Sequence, residues 1–267
     1  MICYNNIIRR VIVMTNVNQN LLLSRILTYL DGTLFNDSYY KIGNFIVAHY
    51  LEIENMDESA FLEQGPFKRL ELQQFMGAFG FDDYEEFKLK LYNDYQIRLN
   101  QIRVRLIDVK PIQFLRKLDM TVSEDEMAAL VSDICSAFYH AKRIFIFGAL
   151  YPISLAIELQ TDMITFGKPF YQFHHYNPIE LNEDDVAIIV SGTGRAYNHM
   201  KQYMVDLHVE RAKSLLLTQN KKFLNEPLSE KERVLVLPGK FDSVDFNYQL
   251  MAIYDLIRLQ YFQQYYL

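Results

Sequence analysis

Two runs of small and hydroxyl-bearing residues, each at the end of an apolar stretch, are the places where this chain could hold an anion. The first stretch, Arg143 to Phe147, leads into Gly148 and on through Pro152 to Ser154. The second, Asp185 to Val190, leads into Ser191, Gly192, Thr193 and Gly194. A buried strand that breaks into such a turn and then enters a helix aims backbone N–H groups and a positive dipole end at one spot, which suits a phosphate. Two such turns, about 40 residues apart, predict a doubly wound sheet with a phosphorylated ligand at its carboxyl edge.

The elements that position these turns follow from periodicity. From Ser123 onward strand and helix alternate: a helix over Met127 to His140 behind a Ser123–Glu126 capping box, and a strand from Ile144 to Phe147. A helix from Ile153 to Phe166, closed by Gly167, and a strand over Phe170 to Phe173 come next. The strand Asp185 to Val190 is followed by a helix over Tyr197 to Leu207, strands Ser214 to Leu217 and Val234 to Leu237, and a last helix over Phe246 to Gln260. Upstream the pattern is helical throughout: Leu21 to Leu30, Tyr39 to Glu52, Asp57 to Glu63, Phe67 to Phe79 and Tyr84 to Arg105. Asp57 and Asp83 stand at N-cap positions, and Gly65, Pro66 and Gly80 fall between segments. The fold class is therefore α/β, with an all-helical N-terminal domain over 15–105, a linker over 106–124 and a doubly wound parallel-sheet domain over 125–267. Residues 1–13 are expected to lie outside the folded unit, because Met14 is followed by a polar stretch before Leu21.

Composition narrows the class further. With 50% hydrophobic and 22% charged residues among 267, the chain can bury a substantial core. Two cysteines, Cys3 and Cys135, exclude a disulfide framework or a cysteine zinc site and point to a reducing, cytoplasmic setting. No apolar run approaches the roughly 20 residues of a membrane span, and Arg9 and Arg10 interrupt the short apolar start, unlike a secretory signal.

The downstream half resembles the SIS (sugar isomerase) domain, which binds phosphosugars. The resemblance rests on the strand into Gly148, the Ser191-Gly192-Thr193-Gly194 turn, the later Leu215 to Thr218 strand and the order of elements; the family typically shows Ser-x-Ser-Gly at the second turn. It implies that Ser191, Gly192, Thr193 and Gly194, with Gly148 and Ser154 on the opposing turn, cradle a ligand phosphate. The chain departs from the family at the first turn, where Leu150 and Pro152 replace a glycine and a hydroxyl, and at Ala196, where a threonine is common. The upstream half is similar to the helix-turn-helix domain of RpiR-type transcriptional regulators, in which such a domain precedes an SIS domain. Phe75, the Gly80-Phe81 pair, Tyr84, Phe87 and Lys88 carry that likeness. It implies a recognition helix ahead of Gly80, double-stranded DNA as partner and a homodimer. Lys68 and Arg69 would meet phosphates, and Gln73 or Gln74 would read an adenine edge. Against this, residues 21–110 hold 14 acidic and 10 basic residues, where a DNA-binding domain is ordinarily basic.

These readings add up to a non-catalytic, DNA-binding regulator of sugar metabolism with a phosphosugar effector and no cofactor. Two alternatives stay open: a phosphosugar isomerase, and a binding protein with degenerate DNA and sugar sites. An isomerase needs a base within reach of the sugar carbon. His174 and His175, with Glu180 and Glu183 nearby, are the candidates for such an acid–base pair, but adjacent residues on a strand point to opposite faces. No metal-ligand motif is present. The aromatic C-terminal tail, Leu259 to Tyr266, reads either as core or as a contact for a partner subunit.

Overall fold

A computed structural model describes residues 21–111, 123–148, 150–173, 179–226, 228–238 and 243–267. The expected residues 1–13, most of the 106–124 boundary, and His174 and His175 lie outside them.

Five strands form one parallel sheet: β1 (Arg143–Gly148), β2 (Phe170–Gln172), β3 (Asp185–Val190), β4 (Lys213–Thr218) and β5 (Glu232–Val236). Their spatial order is β2-β1-β3-β4-β5. From β1 the chain steps outward to β2, returns past β1 to β3, and then proceeds the other way, so the winding reverses between β1 and β3. That reversal opens a crevice at the carboxyl ends of those two strands, where ligands of such sheets bind.

Alternation of side chains decides the layers. Ile144, Ile146, Ile188, Val190, Leu215 and Leu217 join the larger hydrophobic cluster, which contains α6 (Glu124–His140), α8 (Ile157–Thr165) and α10 (Ser243–Tyr265). Phe145, Phe147, Ala187, Ile189 and Leu216 belong to a second cluster, with Tyr197 and Met200 of α9 (Arg195–Tyr203). A parallel sheet covered on both faces has apolar residues at every position, and β3 is buried from Asp185 to Val190. Arg143 and Asp185, partners at the amino ends of β1 and β3, share a bidentate pair with distances of 2.9 and 2.6 Å.

The helical half comprises α1 (Leu22–Gly32), α2 (Ser38–His49), α3 (Glu58–Gln64), α4 (Arg69–Ala78) and α5 (Tyr84–Leu106). The expected caps are in place: Asp57 accepts from Ala60 N, Asp83 from Glu86 N, and Ser123 from Glu126 N. Gly80 adopts φ +88° between α4 and α5, a conformation natural only to glycine. Helix α1 begins at Leu22 without a cap of its own; its first N–H donates to Asp94 of α5 at 2.6 Å, 72 residues further on.

This half is joined to the sheet half by one continuous hydrophobic cluster running from Leu22 to Phe262. Three helices are also tied by charge. Arg98 of α5 reaches Asp162 Oδ1 at 2.6 Å and Glu158 at 2.5 Å, and Arg258 of α10 reaches Asp162 Oδ2 at 2.6 Å. Asp162 is fully buried, so each of its oxygens is met by a guanidinium rather than by water.

One expectation is corrected and one alternative is narrowed. The single helix expected over Ile153 to Phe166 is two, α7 (Leu150–Ser154) and α8, because Ala156 N turns back to Ile153 O at 3.0 Å and α8 restarts from Ala156 at ψ 0°. For the aromatic tail, the core alternative holds for most of its rings, while Tyr266 stays 43% exposed. Tyr261 and Phe262 are fully buried, Tyr265 stacks on Tyr139 at 4.1 Å, and Tyr266 stacks on Phe166 at 4.3 Å.

Candidate functional site

The two predicted turns meet at the crevice. Gly148 and Val190 are directly paired at the ends of β1 and β3, so the first turn begins beside Ser191. Gly148 has φ +155°, and an added Cβ would run into the Val190 carbonyl oxygen. Glycine there is what allows the two turns to lie so close.

In the second turn the donors divide into used and available. Ser191 N donates to Leu217 O and Gly194 N to Ser191 O, both at 2.9 Å. Gly194, at φ +83°, starts α9 over the ring of Phe223, which leaves no room for a Cβ. Among the described residues, the N–H groups of Gly192 and Thr193 have no acceptor, and they precede the amino end of α9. The carbonyl of Gly192 is held from behind by Gln219 N at 2.9 Å and Thr218 Oγ1 at 3.1 Å, and that of Thr193 by Asn220 Nδ2 at 3.0 Å. The turn is thus anchored through its carbonyls rather than its two central amides. Phe246 of α10 lies beside Gly192.

The side chains of the turn also serve one another and the helix that follows. The Ser191 hydroxyl, expected to reach a ligand, accepts from Ala196 N at 3.1 Å and so caps α9; its own proton is what remains to donate. Thr193 Oγ1 accepts from Arg195 Nε at 3.2 Å. Arg195 is the residue that sequence reasoning missed. It is exposed, it leans back on Thr193, and among the described residues no carboxylate pairs with it. Lys221 and Lys222, exposed on the 3-10 turn after β4, follow directly on Asn220, which binds Thr193. The signal that could have found these cations was that the helical pieces after β3 and β4 open on Arg195 and on Lys221-Lys222 in a chain of net charge −6. Ser154 ends α7 rather than opening a longer helix.

Among the described residues, the acidic candidates Glu180 and Glu183 do not lie here. Glu180 and Glu183 precede β3 and so lie at the amino edge of the sheet, opposite the crevice. There Glu180 pairs with Arg211 at 2.6 Å, and its carbonyl accepts from Arg143. His174 and His175 lie outside the described residues. Cys135 is buried against Ile257 O, and burial pushes its thiol up, which removes its nucleophilic form. Among the described residues, no three His, Cys, Asp or Glu side chains converge as a metal site, and no helix is long and apolar enough to cross a membrane.

The predicted recognition helix is α4. It follows α3 across a short turn, with Phe67, Leu72, Phe75 and Met76 buried beneath it. Lys68, Arg69, Gln73 and Gln74 are all exposed. Arg69 pairs with Glu58 of α3 at 2.9 Å, with its guanidinium still exposed. Glu71 accepts from Lys68 N at 2.6 Å, closing the first turn of the helix.

No protein-family model matches the chain, and no curated protein matches it. Among solved structures, it is similar in fold to the NanR protein of Vibrio vulnificus complexed with ManNAc-6P. The identity is 14%, covering 90% of this chain and 92% of that one, with a TM-score of 0.42. It is also similar to a hypothetical protein from Methanococcus jannaschii, described with an inferred function of 3-hexulose-6-phosphate isomerase. There the identity is 17%, covering 58% of this chain and 86% of that one, with a TM-score of 0.44.

Proposed function

We propose that the protein is a non-catalytic, DNA-binding regulator of the RpiR type whose α/β half senses a phosphorylated sugar at the β1–β3 crevice. The observation that carries the reading is the turn at Gly192 and Thr193, whose two amides lack acceptors and stand beside an uncompensated Arg195. A phosphate satisfies all three, and each charge-assisted hydrogen bond contributes about 1.5 to 3 kcal/mol. Ser191 donates its remaining proton to the same group, and Gly148 gives the ligand room to approach along the backbone. The acidic candidates Glu180 and Glu183 lie at the opposite edge of the sheet, which favours sensing over isomerisation.

A panel of hexose and pentose phosphates, read by thermal shift, tests this. A ligand at about 100 times its dissociation constant stabilises by about 2.7 kcal/mol, and Arg195→Ala together with Thr193→Ala abolishes the shift. Absence of a shift with every member of the panel defeats the sensing role. Turnover of any of them revives the isomerase.

DNA recognition would fall to Lys68, Arg69, Gln73 and Gln74 on and just before α4. A salt-dependent mobility shift comparing the chain's own promoter region with random DNA decides it. A second reading, a sugar-phosphate sensor that binds no DNA, is favoured by the Arg69–Glu58 pair and the acidic balance of the helical half. It predicts equal, weak affinity for both DNAs.

A further inference from the structure

Away from the crevice, a cavity of about 10 Å³ lies between the helical half and the edge strand β2. Its lining includes Asp31 from the last turn of α1, Gln160 of α8, Tyr171 and Gln172 at the end of β2, and Tyr40 and Asn44 of α2. Asp31, Gln160 and Gln172 are only 4%, 1% and 5% exposed. Both carboxylate oxygens of Asp31 and the carbonyl oxygens of Gln160 and Gln172 are buried with no hydrogen-bond partner.

The orientation of the two amides is settled by their other ends. Gln160 Nε2 donates to Phe170 O at 2.8 Å and Gln172 Nε2 donates to Ile153 O at 3.2 Å. Flipping either would set carbonyl against carbonyl, so each side chain keeps its oxygen for the cavity. Four acceptor atoms therefore line one small space. Asp31 makes the electrostatics more demanding: it sits in the last turn of α1, where no basic residue offsets the negative end of the helix dipole. No ion pair reaches it among the described residues, and burial pushes its carboxyl well above the usual range. Orphan acceptors in such a place each cost stability unless something meets them.

We propose that this cavity binds one small monovalent cation of sodium's class, held by the Asp31 carboxylate and the carbonyl oxygens of Gln160 and Gln172. An all-oxygen set with a single carboxylate suits a hard, singly charged ion; a divalent ion would leave charge uncompensated in a buried site. The volume accommodates a body of about one water molecule and excludes an amine or a sugar. Because its ligands come from α1 on one side and from α8 and β2 on the other, the ion fastens the helical half to the edge of the sheet.

The test is the melting temperature of the full chain in sodium chloride and in choline chloride at equal ionic strength, and its dependence on sodium concentration. The protein melts several degrees higher in sodium. Asp31→Asn and, separately, Gln172→Met each remove that increment. Crystals soaked in thallium(I) show one anomalous peak among Asp31, Gln160 and Gln172, a readout that holds even where a variant fails to fold. Equal melting in both salts, with no peak and with Asp31→Asn at least as stable as the parent, overturns the proposal in favour of a protonated Asp31 beside a water molecule.

Discussion

Gly148, the last residue of β1, lies opposite Val190, the last of β3, so closely that a Cβ on Gly148 would meet the Val190 carbonyl oxygen. Gly148→Ala therefore both strains φ and pushes the strand ends apart. It is expected to cost about 2 kcal/mol or more in urea denaturation. It also weakens sugar-phosphate binding, because the two turns no longer converge.

Ser191 and Arg195 separate a structural role from a ligand role. Ser191→Ala removes the cap on α9 and costs about 1 kcal/mol of stability with or without ligand. Arg195→Ala, at an exposed position, changes stability by less than about 0.5 kcal/mol. It loses most of the ligand-induced thermal shift. Denaturation and thermal shift measured on the same two variants check both halves of the statement.

Asp162 carries two guanidinium groups in a site closed to water. Asp162→Asn leaves both arginines inadequately paired and costs about 3 to 5 kcal/mol. The triple change Arg98→Met, Asp162→Leu and Arg258→Met costs less than the single one, since the carboxylates that lose their arginines, Glu158 and Asp255, are exposed to water. Chemical denaturation of the two variants makes the comparison.

Glu232 predicts the acid limb of stability. Burial raises its carboxyl, but Lys201, the Ser229 amide and the Tyr197 hydroxyl at 2.7 Å outweigh that and hold it down to about 2, from 4.5. A carboxyl depressed in the folded state stabilises fully above its unfolded pKa and loses that contribution as pH falls toward the folded one. Stability therefore declines as pH falls from 4.5 to 2, and Glu232→Gln is flatter across that window. Urea midpoints taken through the range read the difference.

What the sequence revealed was local. The strands were legible because a run such as Val186 to Val190 has no polar face to place in water, and the caps at Asp57, Asp83 and Ser123 act within three residues. Gly148 and the Ser191 turn were legible as a pair because strand-to-helix turns in alternating topology fall on one edge. The hydroxyl roles were not: whether Ser191 faces a ligand or its own helix depends on the backbone angle after Gly192, which residue types do not specify. Arg98 with Asp162, and Asp31 with Gln172, were invisible for another reason. Their partners lie 64 and 141 positions away, and only packing selects them.

The Asp94 cap on Leu22 has a consequence for biosynthesis. At about 5 to 20 residues per second, the 72 positions between them take roughly 4 to 14 s to translate. For that interval the newly made α1 is an oily segment with an unfinished amino end, attractive to a chaperone. Only when α5 leaves the ribosome does the nascent chain acquire the carboxylate that completes its first helix.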